Sequence, residues 1–167
     1  MKKLCISLLG LAFANGAGAQ VVKPVDSFFK VCMGALGNVS QGEVSAQKLG
    51  LSPATDEQKK TLLRHGSAGS VYVGEGLAIV LEQGGLCTVF AHADDQTAVQ
   101  EELKKALPPP STPFKVIEEP IGGNPNVTGS VYHLVLPTGP FADWIFSSYS
   151  LPGKYNVAIS MQVRRKD

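Results

Sequence analysis

The chain reads as a single α+β domain: N-terminal helices packed on a mostly antiparallel, curved sheet of about six strands, with one further helix inserted. Three observations carry this. Up to His65 the apolar residues recur at helical spacing, and from Ser70 onward they fall in short extended runs separated by glycine turns. One helical segment, ended by Pro108-Pro109-Pro110, interrupts the strands.

Residues 21–51 read as two helices. Phe28, Val31, Cys32, Ala35, Leu36 and Val39 follow the i, i+3, i+4, i+7 rule, which sets Cys32 on a buried stripe, with Asp26 near the start as a cap. Gly37-Asn38 marks the end of the first helix. Ser40 with Glu43 forms a capping box for a second, shorter helix that stops at Gly50. A third helix is expected over 56–65, with Thr55 and Gln58 as another capping box and Gly66 as its stop.

The runs 71–73, 77–81 and 86–91 are separated by Gly74-Glu75-Gly76 and Gln83-Gly84-Gly85, the pattern of a three-stranded meander. Cys87 falls in its third strand. Asp94 or Asp95 then caps a helix over 96–107, whose apolar stripe is Val99, Leu103, Ala106 and Leu107. Residues 114–117 read as a strand and 118–128 as a polar connection. Strands over 130–136, 141–149 and 155–164 complete the domain; in the last, Tyr155, Val157, Ile159, Met161 and Val163 alternate with more polar positions, so one face meets the core.

Ahead of this domain, residues 1–19 have the build of a secretory signal peptide of bacterial character. Lys2 and Lys3 form the positive start, an apolar run extends to Phe13, and Ala17-Gly18-Ala19 is the cleavage signal before Gln20. Residues 20–167 are then the working domain, periplasmic or secreted, without a stretch long and apolar enough to span a membrane. Without Lys2 and Lys3, 13 basic residues face 14 acidic ones, a formal charge of −1. That balance gives no footprint for nucleic acid. Arg164-Arg165-Lys166 is the one basic cluster and reads as a solvated tail.

Cleavage also removes Cys5 and leaves an even pair, Cys32 and Cys87, which in an oxidising compartment predicts a disulfide joining the first helix to the meander.

The sequence holds no complete catalytic motif: no H-E-x-x-H, Walker loop, dinucleotide fingerprint or G-x-S-x-G elbow. It implies no cofactor and no metal. His92 with Asp94 and Asp95 has ligand-type spacing, yet helix capping accounts for the acids and a strand end for the histidine. His65 suits the last turn of a helix. His133 shares a strand face with Val131 and Val135. The adjacent Glu118 and Glu119 would point to opposite faces of a strand, poor geometry for an acid–base pair.

Candidate binding residues are aromatic: Phe141, Trp144, Tyr149 and Tyr155 crowd one hairpin, with His133 nearby. Alternation places Trp144 with Phe146 on one face and Phe141 with Tyr149 on the other. The expected function is therefore binding and not catalysis, toward an unknown protein, as for an envelope inhibitor or immunity-type factor, or toward a small apolar ligand. The alternative is an envelope-associated hydrolase using His92, Asp94 and His133, which requires these side chains to converge in one cleft.

Overall fold

A computed structural model describes residues 23–164; the leader assigned to residues 1–19 lies outside them. Among the described residues no helix is long and apolar enough to cross a membrane. The chain begins with α1 (Pro24–Phe28), continued by a π turn (Phe29–Met33), then α2 (Val39–Lys48), β1 (Ser52–Pro53) and α3 (Asp56–Leu62). The meander β2 (Gly69–Gly74), β3 (Leu77–Glu82) and β4 (Leu86–Ala91) follows, then α4 (Gln96–Lys105) and β5 (Lys115–Pro120). The chain closes with β6 (Val127–Leu136), β7 (Gly139–Tyr149) and β8 (Val157–Val163).

All strands join one open antiparallel sheet in the order β1-β2-β3-β4-β8-β7-β6-β5. The α+β class holds, with eight strands among the described residues where about six were expected. The two-residue β1 is too short to leave a periodic signal. Residues 118–120 and 127–129, read as connection, are strand: Glu119 pairs with Val131 and Val127 with Tyr149. The polarity of 118–120 reflects the exposed β5 edge, where backbone pairing and not burial makes the strand.

One face of the sheet carries the main core. Phe28, Val31 and Cys32 from the first helix, Ala46 from α2 and Val99 and Leu103 from α4 pack on Leu81, Cys87, Ile159, Met161, Trp144, Phe146 and Tyr132. Gly42 permits the closeness of α2, because a Cβ there would stand 2.7 Å from Leu81 Cδ2. The predicted bridge is formed: the Cys32 and Cys87 sulfurs are at bonding distance and their Cα atoms are 5.4 Å apart.

Among the described residues α3 is the one helix on the opposite face, at the β2–β3 side, where Ala54, Leu62 and Leu63 cover Val71, Val80 and Phe90. It is held by the predicted capping box, with the Gln58 amide donating to Thr55 Oγ1 and the Thr55 amide to Gln58 Oε1. The helix stops at Leu62, three residues before the expected end. Leu63 turns extended to reach the sheet, and Arg64 then pairs with Glu82, so His65 stands exposed in a loop and outside any helix end. The cap of α2 is likewise Asn38, whose Oδ1 accepts from the Gln41 amide, and not Ser40. Glu43 instead accepts from the Ser70 hydroxyl on β2.

Candidate functional site

The opposite face of the sheet holds two features. The first is an apolar cleft between α3 and the β7–β8 connection. Leu62, Val73, Phe90, Tyr149 and Tyr155 form its walls, and Glu57, Gln58, Thr61 and Lys154 stand around its rim. It is open to solvent and has a volume of about 540 Å³.

Strand order builds this cleft. Val73 and Phe90 both pair with Ala78 on β3, from either side, so their side chains share a face. Phe90 is opposite Ala158 on β8, which places the chain leaving Tyr149 and returning at Tyr155 beside it. The Phe90 and Tyr155 rings lie 6.1 Å apart at 40°, and the Lys154 ammonium stands 5.3 Å from the Tyr155 ring centre. Burial pushes the Tyr149 phenol above its ordinary value of 10.0, so it enters the cleft as a neutral group. Asn156 holds the mouth of the hairpin. Its side chain accepts from the Ala93 amide (2.8 Å) and donates to the Ala93 carbonyl (2.8 Å), while its own amide donates to Ala91 (3.0 Å).

The second feature is a charged cluster near the other end of the same face. His133 Nδ1 lies 2.9 Å from Asp143 Oδ1, and Nε2 lies 3.4 Å from Glu119 Oε2; Arg164 pairs with the other Asp143 oxygen. The Asp143 hydrogen bond, against the opposing effect of burial and with help from Glu119, holds the imidazole charged above its ordinary value of 6.5. In its protonated form the ring can donate from Nδ1 to Asp143 and sets Nε2 beside Glu119, so the charged ring ties β5, β6 and β7 together. Its other neighbours in this second cleft, of about 510 Å³, are Ile117, Leu134, Val135 and Pro140, which offer no nucleophile. Among the described residues no group of three or more His, Cys, Asp and Glu is arranged to hold a metal ion.

The aromatic candidates separate. Tyr149 and Tyr155 line the cleft, whereas Trp144 is 2% exposed and belongs to the core, edge-on to Phe28 and Phe29 at 5.4 Å. Phe141 does not share a face with Tyr149. The β6–β7 register slips between Leu134 and Val135, which pair with Ala142 and Pro140, so Phe141 is the extra residue of a bulge. The bulge turns its ring to Phe114 and the main core. Arg164, read as the start of a solvated tail, is instead bound to Asp143; residues 165–167 lie outside the described residues.

The hydrolase set is not assembled. His133 belongs to the cross-strand row Ile117–His133–Asp143–Gln162–Leu86, at the start of β4, and His92 follows the end of that strand. Six residues of extended chain separate the two ends, about 20 Å, and three strand spacings separate the histidines sideways. Asp95 caps α4 through the Ala98 amide (2.9 Å). Leu62, Val73 and Phe90 are cleft residues that the sequence did not single out, because nothing local reveals that β4 pairs with β8.

Comparison with protein-family models, with curated proteins and with solved structures finds no match to this chain, so its sites rest on their own geometry.

Proposed function

We propose that this chain is an exported, non-catalytic binding protein that holds a small apolar ligand in the cleft between α3 and the β7–β8 connection. The observation that carries the reading is the cleft itself: about 540 Å³, walled by three aromatic rings and two aliphatic side chains, with polar groups at the rim. That volume and that distribution of apolar wall and sparse polar rim are those of small-molecule sites. The leader-like residues 1–19 and the Cys32–Cys87 pair support export, since disulfides persist in oxidising compartments.

Titration with the apolar fluorophore Nile red tests the site. Saturable one-to-one binding is expected, weakened at least tenfold, or about 1.4 kcal/mol, by Tyr155→Ala and by Phe90→Ala. Binding that does not saturate, or that both variants leave unaltered while remaining folded, excludes the cleft.

A further inference from the structure

We propose that the β5 edge is a contact surface for a second copy of this chain, the two strands pairing antiparallel about a two-fold axis at Ile117 to join the sheets edge to edge. This inference is independent of the cleft.

Among the described residues β5 is the last strand of the sheet and pairs with β6 on one side only; the other edge, β1, is two residues long. The Ile121 amide donates to the Gly129 carbonyl at 3.0 Å, in register with the β5–β6 ladder. The odd-numbered residues of β5 therefore turn their backbone groups toward β6, and Val116 and Glu118 turn theirs outward. Pro120 has no amide to offer. The free edge thus presents two complete donor–acceptor residues, Val116 and Glu118, flanking Ile117.

A two-fold axis at Ile117 sets Val116 opposite Glu118 of the second copy, and each such pair exchanges both backbone hydrogen bonds. On the outer face Lys115 then stands opposite Glu119 at both ends, and Ile117, 38% exposed in the single chain, covers its counterpart. Non-hydrogen-bonded pairs bring side chains closest, so these contacts fall where charge and apolar matching count most.

The neighbouring registers fail. An axis at Glu118 opposes two carboxylates, sets Ile117 against Glu119 and meets the missing Pro120 amide. An axis at Val116 sets Lys115 against Ile117 and Phe114 against Glu118. Charges on an edge strand usually prevent pairing. Here the opposite charges of Lys115 and Glu119 match each other in one register, so they act against slipped pairings and leave that register open.

The test is sedimentation of the oxidised chain up to roughly 200 µM, a range that detects weak specific interfaces as well as strong ones. A dimer that dissociates on dilution is expected, with slowed amide exchange at Val116 and Glu118 as it forms. Lys115→Glu is expected to weaken it at least tenfold, Ile117→Lys to abolish it, and Lys115→Glu with Glu119→Lys to restore it. A chain that stays monomeric over the whole range overturns the proposal, as does a dimer indifferent to Lys115→Glu or Ile117→Lys. A double variant that stays monomeric while melting like the parent overturns the register at Ile117.

Discussion

Cys87 and Trp144 lie in one cross-strand row with only Met161 between them, and the first helical segment is fastened to both. Cys32 is bonded to Cys87, and Phe28 and Phe29 pack edge-on against Trp144. A covalent and an apolar anchor therefore hold the same short helix at two points of one row. The helix is too short to be stable alone, so these anchors and not its propensity keep it in place.

Replacing Cys32 and Cys87 together by serine is expected to cost about 2–4 kcal/mol, near what the chain-entropy argument gives for a link of this span. Urea unfolding of the unreduced protein measures it. Thiol titration of unfolded, unreduced protein cleaved before Gln20 is expected to find no free thiol; two would remove the bridge.

Phe28→Ala is expected to cost about 3–5 kcal/mol, because the ring is fully buried between Phe29 and Trp144 and its loss leaves a cavity. Trp144 is the single tryptophan of the chain, so its emission reports this site directly: a red shift in the variant, with the unfolding midpoint lowered, is the expected result.

Glu82 is 2% exposed, and Arg64 is its charged partner, with Nε–Oε2 at 2.8 Å. Burial pushes the carboxyl up, but the Arg64 and Ser67 hydrogen bonds outweigh it and hold the pKa below its ordinary 4.5. A lowered folded value means that the pair stabilises above pH 4.5 and that this stability is lost as pH falls through the lowered value. Arg64→Met is expected to cost about 2 kcal/mol at neutral pH, less than a fully buried pair because Arg64 is largely in water. The gap to the parent is expected to close in acid, where the stranded carboxyl is neutral; denaturant unfolding at several pH values shows whether it does.

The His133 pKa is raised by Asp143 and Glu119, so the sign is opposite. Its contribution is full below pH 6.5 and is lost as pH rises through the raised folded value. His133→Gln is expected to remove that pH dependence, with a loss of up to about 1 kcal/mol at pH 6, the scale of a partly exposed ion pair. Amide exchange along β5 is the sensitive readout, because the cluster ties that edge to β6 and β7.

Asn156→Ala is expected to cost about 2 kcal/mol, since it leaves the amide and the carbonyl of Ala93 without their side-chain partner. Asn156→Asp keeps the acceptor but loses the donor and sets a carboxylate against the Ala93 carbonyl, so a larger loss is expected. Thermal unfolding of the two variants ranks them.

Local signals were legible wherever a short segment determines its own structure. The Thr55–Gln58 capping box, the glycine turns of the meander, the Asp95 cap and the buried stripe from Phe28 to Ala35 all depend on residues a few positions apart and are found in the structure. Leu36, read into that stripe, instead leaves the helix with a positive φ and stands exposed. Such signals failed where a distant partner competes. Asn38 took the cap because Glu43 was drawn to Ser70, and α3 stopped early because Leu63 and Arg64 were needed on the sheet. The bulge at Phe141 broke the alternation that had paired it with Tyr149.

The sequence by itself determined the α+β class and, through the spacing of apolar residues, which side of each well-patterned strand is buried. Cys32 and Cys87, the two cysteines beyond the leader-like residues 1–19, pointed to the bridge. Only the tertiary structure decided which strands are neighbours. The β4–β8 pairing joins residues some seventy positions apart in the chain, and it alone sets Phe90 beside Tyr155 and separates His92 from His133. The physical reason is that backbone hydrogen bonds pair any two extended segments equally well. The choice among partners is made by the packing of the whole core, which no single segment contains.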